Sequence, residues 1–163
     1  MVSRKYSPRA SQLIAVPALL FFFVGLIFVG LTALGFAKVL TLQELKDRIA
    51  GASVGERPAL CVEVAERQLD AADKLYAGDD ADKAQAALAD VAAFSEQARD
   101  YAIQSHKREK QSEIAVRKMA RKLENLKHSV SREDQKAIQE TIDHLQRVRD
   151  DLLAAMFPNG VKK

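Results

Sequence analysis

His106, His128 and His144 are the residues of this chain best suited to hold a metal or move a proton near neutral pH. Their spacing argues against both roles. None has another histidine three or four positions away, so no helix can present a two-histidine face to a metal. His128 falls at a turn around Ser129-Val130-Ser131, and His144 lies well along the helix that follows, so the two are held apart. All three read as surface histidines. Two acidic doublets, Asp79-Asp80 and Asp150-Asp151, could supply paired carboxylates for acid–base work. The first sits at a helix start, where acids suit the helix dipole, and the second on the outward side of the last helix. Neither has a pocket implied around it. No serine or threonine is framed by glycines as a nucleophile, and the chain has no phosphate loop, dinucleotide fingerprint or Cys/His cluster. The expectation is a protein that is not an enzyme, with no metal site and no cofactor.

Cys61 is the only cysteine and has no partner within the chain. Leu60 precedes it where a lipoprotein cysteine would need a small residue, and a polar stretch separates it from the apolar segment upstream. It reads as a buried small apolar side chain, with a disulfide-linked dimer as the alternative.

The charged residues say more. The formal net charge is +3, but it is unevenly spread. Residues 56–100 hold eleven acids and five bases, whereas residues 101–130 hold eight bases and three acids. Residues 131–163 balance at six and six. Within the basic stretch, Arg117, Lys118, Arg121 and Lys122 form a cationic face beside the apolar seam residues Val116, Met119 and Leu123. These seven are the candidate interaction residues, and the three apolar ones read equally well as internal core. The cationic face fits a polyanion or an anionic lipid surface, or simply a solvated face that complements the acidic stretch. Acids interleave with the bases and no aromatic lies among them to stack on a base, so no nucleic acid is expected.

The element that must place this polar region is Leu13 to Ala37, 25 residues without a charge. As a helix it would reach roughly 37 Å, enough for a hydrocarbon core of about 30 Å. The leader before it, residues 1–12, carries Arg4, Lys5 and Arg9 and no acid, while the charges after it are nearly balanced. That bias keeps the N-terminus in the cytoplasm and sends the rest across. The segment reads as a retained single-pass anchor in a bacterial inner membrane, with the C-terminal domain periplasmic. The alternative is a signal peptide cleaved near Ala37, after Gly35-Phe36-Ala37, giving a secreted protein. Gly25, Gly30 and Gly35 recur every five residues and do not share a face, so they form no helix-dimer seam.

Downstream the composition is that of helices, and the fold class is all-α. Residues 38–57 read as a short helix and a hinge: Thr41-Leu42-Gln43-Glu44 has the form of a capping box, and Gly51 to Pro58 is a breaker stretch. Residues 58–157 form the helical domain, and 158–163 a tail. A helix over 58–77 has Cys61, Val64, Ala65, Leu69, Ala72, Leu75 and Tyr76 on one stripe and ends at Gly78. The stretch Leu75 to Asp79 resembles the inter-helix turn of a tetratricopeptide repeat, but Ala84 falls one position late and no second copy follows, so no repeat architecture is implied. From Asp80 to His128 there is neither Gly nor Pro. Seam positions step by four and three through Ala84, Leu88, Val91, Ser95, Ala98, Ala102, Ser105, Glu109, Ser112, Val116, Met119, Leu123 and Leu126. The unbroken phase predicts one long central helix over 80–128, with any break falling near 104–112. Ser131 is a good N-cap for a last helix over 132–157, striped by Ile138, Ile142, Leu145, Val148, Leu152 and Met156. Two antiparallel hairpins would then share one coiled-coil-like rod. The competing arrangement folds the same helices into a compact bundle.

The function these features point to is an accessory subunit or scaffold acting through protein–protein contacts. Its partners would be the membrane, through residues 13–37, and a second copy or another membrane or periplasmic protein. A surface binder of polyanions or anionic lipids using residues 107–122 is the second reading, and an enzyme with a site that local sequence does not show is the third.

Overall fold

A computed structural model describes residues 40–158 of the chain. The leader, the apolar segment 13–37 and the last five residues lie outside the described residues. Those described form five α-helices and no strand: α1 Leu42–Gly51, α2 Arg57–Ala77, α3 Ala81–Ser105, α4 Glu109–Lys127 and α5 Gln135–Met156. None of these is long and apolar enough to cross a membrane.

The capping box forms as its residues predict. Thr41 Oγ1 accepts from the Glu44 N–H (3.2 Å), and the Glu44 carboxylate accepts from the Thr41 N–H (2.7 Å). Thr41 is extended, with ψ 160°, so α1 starts there as a helix of its own. Leu45 and Ile49 of α1 are buried against Cys61 and Val64 of α2 and Ala98 of α3. Lys46 reaches α3, donating to Asp90 (2.9 Å) and lying over the Phe94 ring at 5.1 Å. The stretch expected as a hinge is therefore a closed loop between two packed helices. Arg57 Nε donates to Ala52 O (3.0 Å), and the Ser53 hydroxyl donates to Glu56 (2.6 Å).

The end of α2 shows how this chain turns without relying on glycine. Gly78 keeps a negative φ of −98°, and the left-handed residue is Asp79, φ 59°. Asp80 N–H reaches Leu75 O (3.0 Å) and Asp79 N–H reaches Tyr76 O (3.3 Å), the paired bonds of a Schellman ending. Aspartate tolerates the left-handed region better than most residues.

The same device breaks the predicted long helix 80–128. His106 sits at φ 51° and Arg108 at φ 63°, and α3 stops at Ser105. Lys107 N–H bonds Ala102 O and His106 N–H bonds Ile103 O, both at 3.3 Å, another Schellman ending. Residues 106–108 reverse the chain, so there is no shared central rod, and the compact bundle is the arrangement adopted. The phase of the seam was a true signal with two solutions. Ala84, Leu88, Val91, Ser95, Ala98 and Ala102 are buried on α3, and Ser112, Val116, Met119, Leu123 and Leu126 on α4. Both stripes face one core after the reversal as well as they would along a rod. The polar positions between them have no apolar side chain to bury, so the turn sacrifices no core contact. Folding back also lets each hairpin cover the other, which a rod cannot do.

Hairpin α2–α3 and hairpin α4–α5 stack face to face, with α3 beside α5 and α2 beside α4. A continuous core runs between them, from Leu69, Leu88 and Val91 to Val116, Met119, Leu123, Ile138, Ile142, Leu145, Val148 and Leu152. α1 and its small core with Cys61 close the outer side of α2 and α3. The last helix begins regularly at Gln135, three residues later than the N-cap rule places it. Ser131 still accepts from the Asp134 N–H (3.3 Å), across a turn at 132–134.

Candidate interaction surface

Of the seven candidate residues, the structure divides apolar from basic. Val116, Met119 and Leu123 lie inside the bundle, at 0–3 % exposure. They serve the joint between the two hairpins. Arg117, Lys118 and Arg121 are exposed on the outer side of α4, with Lys110 on the same arc. Lys122 turns toward α2 instead, 2.6 Å from Asp70 and 3.7 Å from Asp73. The hydrogen bond to Asp70 holds its ammonium above the ordinary lysine range, with both carboxylates adding to the effect. Lys122 thus joins the hairpins, as part of the acid–base complementarity that the uneven charge distribution anticipated.

One carboxylate joins Arg117 to a base of the neighbouring helix. Glu113, on the first turns of α4, is only 6 % exposed. Arg149 of α5 donates to it through Nε (3.0 Å), and Arg117 Nε lies 3.5 Å away. This orients two guanidinium groups over a shallow groove of about 360 Å³ between α4 and α5. Val116, Ala120 and Leu145 contribute to its lining, with Arg117, Arg121, Arg149 and Glu124 among its charged groups. Among the described residues neither Lys118 nor Arg121 has an acid within ion-pair distance. The groove is therefore net positive and holds side chains that could bind carboxylates bidentately. Sequence reasoning missed Arg149, since its approach to Glu113 spans 36 residues and depends on how α4 lies on α5.

Of the other groups considered for chemistry, the structure brings one set together: contrary to the expectation that neither acidic doublet borders a pocket, Asp150 and Asp151 line a hollow of about 250 Å³ with His144, Glu96, Arg99 and Arg147, because α3 packs beside α5. His106 is on the 106–108 turn and highly exposed, and His128 is exposed at the opposite end of the bundle. His144 bonds Glu96 of α3 and lies 3.3 Å from Arg147. Asp151 pairs with Arg99 (2.8 Å) and Asp80 with Lys83 (2.6 Å), so each doublet has one member in an ion pair. Cys61 is fully buried, and burial pushes its thiol up to about 11. Among the described residues no three His, Cys, Asp or Glu side chains gather as a metal site.

No known protein family, curated protein or solved structure matches this chain.

Proposed function

We propose that the chain is a single-pass inner-membrane protein whose periplasmic bundle acts by contact, as an accessory subunit or scaffold. In this reading residues 13–37 are the anchor, and the basic face of α4 recognises an acidic patch on a partner protein. The observation that carries it is the groove between α4 and α5, where Arg117 and Arg149 are held on the buried carboxylate of Glu113, with Arg121 on the same groove and Lys118 beside them. Arginines pre-oriented by a buried acid lose less freedom on binding than free surface cations do, and rim charges of this kind set partner choice and association rate. The bundle's apolar seams are spent on its own core, so a partner meets charge at this face and not an apolar stripe. No catalytic step belongs to this reading.

The test is cross-linking of the tagged full-length protein in native membranes, followed by detergent extraction, pull-down and intact-mass analysis of the bait. The expected result is a bait that retains residues 1–37 and a defined membrane partner. That partner should be lost in the triple variant Arg117→Glu, Lys118→Glu, Arg121→Glu and weakened by salt. A bait beginning at Lys38, or a partner indifferent to the triple reversal, overturns the reading.

A further inference from the structure

One end of the bundle differs from all other surfaces described. It is formed by the 52–56 loop, the 106–108 turn and the C-terminus of α5. Among the described residues the exposed large hydrophobics are Val54, at 36 %, and Phe157, at 59 %, and both are here. Phe157 is placed by the pair Arg149–Glu113: α5 runs seven residues beyond Arg149, about 10 Å, which brings Phe157, its C-cap, level with the turn that precedes α4. Val54 is placed by its neighbour, since a Cβ at Gly55 would come within 2.7 Å of the Lys107 side chain.

Bases gather at the same end of the bundle. Arg48, Lys107 and Arg108 line two adjoining hollows of about 630 and 520 Å³, which share Glu56 and Arg108. Lys110 follows on the first turn of α4, exposed. Glu56 and Glu109 stand among these bases and leave them in excess. Glu56 is bonded to Ser53, which holds its carboxyl below the usual range, and Glu109 faces His106 at 3.7 Å. The opposite end shows no such pattern. Asp79, Asp80 and Asp82 mix there with Lys83, Lys127 and Arg132, and no large apolar side chain stands exposed.

We infer that this end docks on the surface of a bilayer, with Arg48, Lys107, Arg108 and Lys110 on anionic phosphate headgroups and Phe157 and Val54 in the interfacial layer. Cations combined with protruding apolar side chains are the signature of interfacial binding, because each alone gives a weak, reversible hold. The long stems of Lys107 and Arg108 can lie along the apolar boundary while their charges reach phosphates. An acidic protein would satisfy the bases but leave Phe157 without a partner, so lipid is the occupant that uses both features. The inference deepens the membrane-tethered reading: a tether holds the domain near the bilayer, and this end would fix which face the groove on α4 presents outward.

The chain contains no tryptophan, so Phe157→Trp gives a single-site emission probe. The full chain carrying it is reconstituted into phosphatidylcholine vesicles with and without phosphatidylglycerol. The expected result is a blue-shifted emission, quenched by brominated acyl chains, in phosphatidylglycerol vesicles only and reversed by high salt. Adding Lys107→Glu and Arg108→Glu should return the emission to that of the neutral vesicles, and Lys136→Trp at the far end should stay solvent-like throughout. Emission indifferent to phosphatidylglycerol, or to the double reversal, overturns the inference. A shift in native membranes but not on anionic vesicles overturns it in favour of a protein at this end. Flotation reads the tether separately. A chain that floats on both vesicles with an unshifted probe keeps the tether and loses the docking. One that floats only with phosphatidylglycerol, probe shifted, keeps the docking and loses the tether. One that floats on neither loses both.

Discussion

Replacing His106 with glycine should stabilise this protein, although the same change in a helix interior would weaken it. The sign of the effect therefore tests whether the chain reverses at 106–108. His106 holds φ 51°, where a Cβ costs about 1–2 kcal/mol. Glycine relieves that cost but gives the unfolded chain more freedom, which offsets about 0.4–1 kcal/mol. The His106 side chain is 88 % exposed, and its 3.7 Å approach to Glu109 is a surface contact of little worth, so scant packing is lost. The net expectation is a gain of about 0.5–1 kcal/mol, a rise of a few degrees in Tm for a domain of this size. Were residues 80–128 one helix, His106→Gly would instead remove stability, by an amount approaching the roughly 1 kcal/mol that separates glycine from alanine in helices. Gln104→Gly, two residues earlier and exposed within α3, is the internal control and should lose stability on that scale. Urea unfolding of the full chain in detergent, followed by circular dichroism, resolves both changes through the midpoint at constant slope. Loss of stability at 106 matching the loss at 104 would refute the turn and restore the rod.

Further outcomes are expected at three residues. Cys61 in the folded chain should react with a thiol reagent at pH 8 far more slowly than in urea; equal rates would mean the α1–α2 core is open. Because burial raises this thiol to about 11, the unfolded chain gives up the proton first. Stability from this group is intact below about 8.5 and falls as pH climbs toward 11, so the urea midpoint should drop across that window and Cys61→Ala should flatten the drop. Ser95, fully buried on α3, has a hydroxyl with no hydrogen-bond partner among the described residues, so Ser95→Ala should gain about 1 kcal/mol in the same titration; a loss would point to a bond that the packing does not show. Glu113→Ala should cost about 1–2 kcal/mol, discounted because Arg149 is partly exposed. A cycle with Arg149→Ala should show coupling between the two, and additive effects would remove the basis for a pre-oriented groove.

The helical class, the capping box at Thr41 and Glu44 and the phase of every buried stripe were legible in the sequence, because each depends on spacing within one helix. Cys61 was legible as a small buried side chain for the same reason. The basic candidates were found as a cluster, and Arg117, Lys118 and Arg121 do share the outer face of α4. Their grouping follows from residues three and four apart. What each cation does was not legible. Lys122 spends its charge on Asp70, 52 residues away, and Arg149 joins Glu113 across 36 residues. Those encounters exist only once the hairpins have stacked, and no local pattern marks them.

The direction of the chain after Ser105 was the other matter left to tertiary structure. A left-handed histidine and arginine leave no mark in composition, since a turn of this kind usually shows itself by glycine. The stepping of the seam was equally satisfied by a straight helix and by a reversal. Local spacing determined which side of each helix is apolar. Packing decided which helices those sides meet, because only the compact bundle lets the stripes of α3 and α4 share one dry core with α2 and α5 at the cost of two strained residues.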